Sequence, residues 1–270
     1  MNIEMADLLG MICGNGQIQR TSTNTTLSID IPHKKLQTDE IHDVKLYVKA
    51  SISDIRAIVE PLVGAGLDFI QNKSSTVLSF NKPNSDYLIR EINRFTGNAT
   101  SHHDINIHED IFNCTLDERR QFIKGFADVT GYIRRSNVYF KKFEHRVYFE
   151  IPHNWQMVID ICNLLKSTDI PVQTIDWAHP NMRDGNLTAY NDGKPSFWKK
   201  EHQIKVWANE FIPIGFGIIH KQQALEMFSE ELIAGYKALN KDTDKKTHKY
   251  YWDSKRKSNK VKPPHPGEED

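Results

Sequence analysis

Two stretches of this chain, Leu8 to Gly16 (LLGMICGNG) and Ile123 to Gly131 (IKGFADVTG), can be laid over one another without a gap. Each carries glycine at its third and ninth places and apolar residues at its fourth and fifth. Each reads as a helix that stops at a glycine just past its end. A chain that spells the same helix twice is expected to fold as two copies of one unit.

The segments after the two nonapeptides support the duplication. After the helix Ala6–Cys13, closed by Gly14-Asn15-Gly16, Leu27, Ile29 and Ile31 alternate with polar residues as a strand with one wet face does. Lys45–Ala50 alternates again and reads as a second strand, and Ser51 or Ser53 is placed to cap a helix over Asp54–Val63. Leu67–Gln71 and Thr76–Phe80 read as a hairpin, and Asn84 or Ser85 opens a last helix to Phe95. The second copy gives a helix over Asp117–Ala127, strands over Tyr132–Phe143 and Arg146–Ile151, and a helix over Asn154–Leu165. Strands over Val172–Trp177 and Gln203–Ala208 and a helix over His220–Leu239 complete it. The expected fold is α+β: pseudo-twofold αββαββα units, each with a four-stranded antiparallel sheet. The expected division is a first unit over 1–97, a linker over 98–115, a second unit over 116–240 and a basic tail over 241–270.

Composition narrows the class. No apolar run approaches the ~20 residues that span a bilayer, and Glu4 and Asp7 stand where a secretion signal would be basic, so a cytoplasmic location with no membrane partner is expected. Three cysteines, Cys13, Cys114 and Cys162, form no CxxC pair and predict neither a disulfide framework nor a zinc ribbon. Net charge is zero, so a phosphate-binding surface has to come from patterning. Between Lys241 and Lys262, nine Lys/Arg face three Asp/Glu, which makes the tail one such pattern. The polar run over 177–200, with Trp177, His179, Arg183 and Trp198, is long enough to suggest function. His102, His103, His108, Glu109 and Asp110 lack metal-site spacing and read as a solvated loop. No phosphate-binding loop, dinucleotide fingerprint or serine-hydrolase elbow is present.

With LLGMICGNGQI, FIKGFADVTGYI, the αββαββα order after each and RVYFEI over Arg146–Ile151, the chain resembles the single-chain, two-motif LAGLIDADG homing endonucleases over roughly Met5–Leu239. The resemblance implies a monomer whose two sheets form a saddle in the DNA major groove, which is wide enough for a β-ribbon. Candidates for contact with double-stranded DNA are Gln17, Gln19, Arg20, Thr21, Lys45, Tyr47, Lys49 and Lys73 in the first half. In the second they are Arg134, Arg135, Asn137, Tyr139, Lys141, Arg146, Tyr148, Gln203, Lys205 and Trp207. These are side-chain types that pair with base edges or phosphates.

The resemblance also implies an acidic metal ligand at the eighth place of each motif, the two acids together holding Mg²⁺ at the scissile phosphates. Asn15 and Thr130 stand there instead. An amide and a hydroxyl supply dipoles without the charge that Mg²⁺ demands. Asp128 is a candidate displaced metal ligand, and Asp30 and Glu150, on polar strand faces, are further candidate acids, Glu150 also being placed to pair with Arg146. Two functions stay open: a divalent-metal-dependent, site-specific DNA endonuclease of homing or restriction type with a non-standard active site, and a binding protein without nuclease activity. The second covers a DNA-binding regulator or a maturase-like factor on structured RNA.

Overall fold

The computed structural model describes residues 2–38, 43–64, 66–135, 145–179 and 201–242. The first half runs α1 (Ile3–Asn15), β1 (Gly16–Arg20), β2 (Asn24–Pro32), one-turn α2 (His33–Leu36), α3 (Val44–Val63), β3 (Asp68–Gln71), β4 (Ser75–Pro83) and α4 (Tyr87–Thr96). A connection holding α5 (Glu109–Phe112) leads to α6 (Leu116–Thr130), β5 (Gly131–Arg134), β6 (Arg146–Pro152), α7 (Trp155–Ser167), β7 (Thr174–His179) and β8 (Glu201–Trp207). One-turn α8 (Ala208–Phe211) and α9 (Ile219–Asp242) complete the second half. Each half forms one four-stranded antiparallel sheet, ordered β1-β2-β4-β3 and β5-β6-β8-β7. The chain is therefore a duplicated pair of αββαββα units.

The nonapeptides form the seam between the halves, α1 against α6, and their glycines explain how closely these helices run. A methyl group built on Gly10 would lie 2.8 Å from the backbone nitrogen of Phe126 and nearer still to the carbonyl oxygen of Phe122. One built on Gly125 would lie 2.8 Å from the carbonyl carbon of Asp7 and nearer to its oxygen. Asp7 and Phe122 both immediately precede their nonapeptides, so the contact is reciprocal, as a twofold relation requires. Backbone meets backbone with no side chain between.

Both helices stop at their ninth-place glycine as expected, but without a left-handed turn there. Helix α1 continues through Gly14 and Asn15 and passes straight into β1 at Gly16, whose φ of −80° is ordinary for any residue. Glycine is needed because a side chain at Gly16 would collide with Ile12 of the preceding turn, and one at Gly131 would meet the Ala127 carbonyl oxygen at 2.7 Å. With that side chain missing, each helix passes into its strand without a loop.

Behind each sheet the core is continuous. Leu27, Ile29 and Ile31 of β2 and Val147, Phe149 and Ile151 of β6 are buried, while their alternating neighbours face outward. Each fully buried branched side chain contributes about 1.5–3 kcal/mol. The second strand expected over Lys45–Ala50 is instead the first turns of α3. Asp43 caps this helix through its carboxylate, and Tyr47, Val48, Ser51, Ile55 and Val59 fall on one buried helical stripe. The short alternation is equally compatible with the start of that stripe, which tertiary packing selects. The first hairpin is β1–β2, inside Gln17–His33, where the sequence pattern predicts a single strand.

The expected linker is tied to both halves. Ser101 bridges Gln17, Ile18 N–H donates to Thr100 O at 2.8 Å, and Ile107 N–H donates to the Asp160 carboxylate at 3.1 Å. His102 and His103 pack ring to ring at 4.0 Å, with His153 5.7 Å from His103. His108 accepts from Asp110 N–H in a cap on α5, and Asp110 pairs with Arg94 at 2.6 Å. This run is a staple between the halves more than a solvated loop.

Candidate nucleic-acid interface

Strand register fixes which side chains share the outer face of each sheet, the face turned from the core. On the first sheet these are Gln17 and Gln19, Thr26, Ser28 and Asp30, Val77, Ser79 and Asn81, and Asp68 and Ile70. On the second they are Tyr132 and Arg134, Arg146, Tyr148 and Glu150, Gln203, Lys205 and Trp207, and Thr174 and Asp176. The faces meet at the centre of the molecule. There Lys35, on the turn of helix leaving β2, ion-pairs with Glu150 and holds its ammonium 4.9 Å above the Tyr132 ring.

Arg20, expected to point at nucleic acid, belongs to the opposite face. Its guanidinium donates to Asn93 Oδ1 at 2.9 Å, Ala99 O at 2.6 Å and Gly97 O at 2.9 Å, closing the C-terminal end of α4. Lys45 and Lys49 are exposed on α3 and leave the sheet altogether, while Tyr47 is buried against His220 with ring centroids 6.0 Å apart. Thr21 turns between β1 and β2, and Lys73 is exposed between β3 and β4. Arg135 pairs with Glu231 of α9 at 2.6 Å. Asn137, Tyr139 and Lys141 lie outside the described residues, as do most of the 177–200 run and the tail from 243.

The remaining second-sheet candidates form one connected layer. Tyr132 and Tyr148 stack with centroids 5.2 Å apart and planes 6° from parallel. Arg134 lies 4.9 Å over Tyr132, Lys205 5.7 Å over Tyr148, and Arg146 4.8 Å over Trp207. Lys205 also pairs with Asp176. Gln203 is nearly buried and donates to Tyr132 Oη at 3.2 Å and Glu150 Oε1 at 3.3 Å. Glu150 pairs with Lys35 and Lys34 and not with Arg146, and accepts from Tyr132 Oη at 2.8 Å. Burial, the largest single effect, would raise its pKa, but the Lys35 charge, the hydrogen bonds from Lys35 and Tyr132 and the Lys34 charge together hold the carboxyl below its ordinary value. Burial, then the Glu150 charge, pushes the Tyr132 phenol up, so it stays a donor.

The helix ends do not fit the metal pair that the resemblance implies. Asn15 spends its amide on Val129 O across the seam at 3.0 Å, and the Thr130 hydroxyl donates to Phe126 O of its own helix at 2.6 Å. Both are neutral groups joined to backbone, where hard cations take anionic oxygen. Asp128 faces inward and is fully buried, accepting from Gly217 N–H at 3.0 Å and Ile218 N–H at 3.3 Å. Beside it, Lys221 donates to Ala127 O, Asp128 O and Gly131 O, capping α6. Burial raises the Asp128 pKa and lowers that of Lys221, each shift opposed by the other's charge. Among the described residues, no three His, Cys, Asp or Glu side chains are grouped to hold a metal ion.

The two halves share one further sequence signal, outside the nonapeptides. Asp30-Ile31-Pro32-His33 and Glu150-Ile151-Pro152-His153 are the same tetrapeptide pattern, ending the same strand in each half. The two outer-face carboxylates, Asp30 and Glu150, are therefore counterparts.

No family model and no curated protein matches this chain. Among solved structures, the chain is similar to I-DmoI in complex with DNA and Mn at 14% identity and a TM-score of 0.43, over 82% of this chain and 97% of that one. It is similar to the homing endonuclease I-WcaI bound to its DNA recognition sequence at 14% identity and 0.45, over 78% and 80%. The N-terminal LAGLIDADG domain of DUF199/WhiA is similar at 9% identity and 0.42, over 85% and 80%. Among the described residues, no helix is long and apolar enough to cross a membrane.

Proposed function

We propose that this chain is a monomeric protein that recognises a specific sequence of double-stranded DNA, laying its two outer sheet faces along one duplex. One observation carries the reading: two repeat-related sheets, joined through a backbone-to-backbone helix seam, each present an outward polar row, Gln, Asn, Ser and Thr on the first and Arg, Lys and Gln among aromatics on the second. A two-stranded ribbon fits the major groove, and such side chains supply donors and acceptors for base edges and phosphates. Selection from a randomised duplex library tests it, with a single enriched sequence bound in a salt-dependent manner as the expected result.

A second reading, strand scission of homing or restriction type, is favoured by the paired Asp30 and Glu150. They are the repeat-related carboxylates on the outer faces, and would have to replace the acids missing at Asn15 and Thr130. Incubating the enriched duplex with the protein and Mg²⁺ or Mn²⁺ separates the readings. Breaks at one site that Asp30→Asn or Glu150→Gln abolishes in a protein shown by thermal unfolding to be folded support scission, and an intact duplex supports recognition alone. Tighter binding to a structured RNA of the same sequence would favour the maturase-like alternative over both.

A further inference from the structure

The register of the two sheets allows their outer faces to be compared place by place. Gln17 corresponds to Tyr132, Gln19 to Arg134, Thr26 to Arg146, Ser28 to Tyr148 and Ser79 to Lys205. At these places the first half puts a short or neutral side chain and the second an aromatic or a cation. The first face carries two carboxylates, Asp30 and Asp68, and no cation among its described strand residues. The second carries two carboxylates as well, Glu150 and Asp176, with three cations, Arg134, Arg146 and Lys205. The faces thus differ by three charges at matched positions. Lys34 and Lys35, on α2 of the first half, reach across to Glu150 and count with neither strand row.

From this asymmetry we infer that the two halves divide the work of binding duplex DNA: the second sheet anchors phosphates, and the first reads bases through neutral amides and hydroxyls. The inference rests on the proposed recognition of DNA and goes beyond it in assigning different roles to the two repeats. Phosphate contacts release counterions and dominate affinity, whereas amide contacts to adenine edges carry sequence information with no net charge. The aromatic layer beneath the cations favours a duplex over a single strand. The Tyr132 ring is already covered by Tyr148, Arg134 and Lys35, and the Tyr148 ring lies under Lys205, so these rings hold the cations in place and offer no bare faces to bases.

The test uses the full chain and the duplex enriched by selection, with affinity followed from about 50 to about 200 mM salt. Each of Arg134→Gln and Arg146→Gln is expected to flatten the slope of log affinity against log salt by about 0.9, which over that range is about a 3.5-fold change. Gln19→Ala and Asn81→Ala are expected to keep the wild-type slope and to relax sequence preference in a repeated selection. Gln19→Arg, placing a cation where the other half has one, is expected to steepen the slope. Thermal unfolding of each variant confirms that only folded proteins are compared. Equal flattening by first-sheet and second-sheet variants would overturn the division while leaving DNA recognition standing. Absence of salt-dependent binding to any duplex would overturn both, and tighter binding to the single strand would overturn the anchoring role.

Discussion

Replacing Gly10 with alanine probes the seam on which the whole arrangement depends. Alanine is the better helix former by about 1 kcal/mol, so on an isolated helix the change would stabilise. Here the new methyl would stand 2.8 Å from Phe126 N and closer to Phe122 O, where ordinary contact begins at 3.4 Å. The carbonyl oxygen of Phe122, the nearest atom, sets the scale: helices α1 and α6 would have to separate by more than about 1 Å, and the obstacles are backbone atoms with no rotamer to change. Overpacking typically costs about 1–3 kcal/mol, and a rigid obstacle places this site at or above the top of that range, outweighing the gain in propensity. Gly125→Ala meets the same obstacle from the other side. Gly14→Ala meets side chains and no backbone, chiefly the Val129 and Thr130 methyl groups at 2.7 and 2.9 Å, and is expected to cost less although both are buried and β-branched. Because one separation relieves both contacts, Gly10→Ala/Gly125→Ala should cost less than the two singles together. Urea denaturation of the four variants reads these differences directly. A Gly10→Ala protein as stable as wild type, or more so, would refute the close seam.

Asp7 is buried in this seam with one carboxylate oxygen lacking a hydrogen-bond partner, and burial, then the Asp128 charge, raises its pKa to about 7. The folded state then holds a proton that the unfolded chain releases above about pH 4, so stability should fall as pH climbs from there toward about 7. Asp7→Asn should flatten that fall, as followed by denaturation across the window. Asp128→Ala should destabilise by about 2–4 kcal/mol, since two buried N–H groups lose their acceptor, and should leave the DNA affinity of the folded fraction unchanged. Glu150→Ala removes the carboxylate that pairs with the nearly buried Lys35 and should cost about 1.5–3 kcal/mol in thermal or urea unfolding.

The repeat is legible because both nonapeptides serve the same contact, and glycine is the one residue that lets backbones touch. Strand alternation at Leu27, Ile29 and Ile31 carries through into the structure for a similarly simple reason, one wet face and one dry. Lys45–Ala50 misleads because six alternating residues fit the start of a helical stripe equally well, and only the cap at Asp43 and the later Ile55 and Val59 decide between them. At the site, sequence offers polarity without direction. Arg20 and Gln19 are neighbours, yet one closes a helix and the other faces out, a distinction set by pleat and register. Asp128 has the look of a displaced ligand, and its partners, Gly217 and Ile218, lie far along the chain where no local pattern announces them. The charge difference between the sheets becomes visible only once register has aligned them.

Hydroxyl-radical footprinting of the full chain on its selected duplex shows whether both sheets lie along one double helix. Two sheets joined at a twofold-like seam should protect two groups of backbone sugars, beside successive major-groove segments roughly one helical turn apart. Protection should be denser on the side contacted by Arg134 and Arg146. A single continuous patch, or no protection at any sequence, would contradict the account.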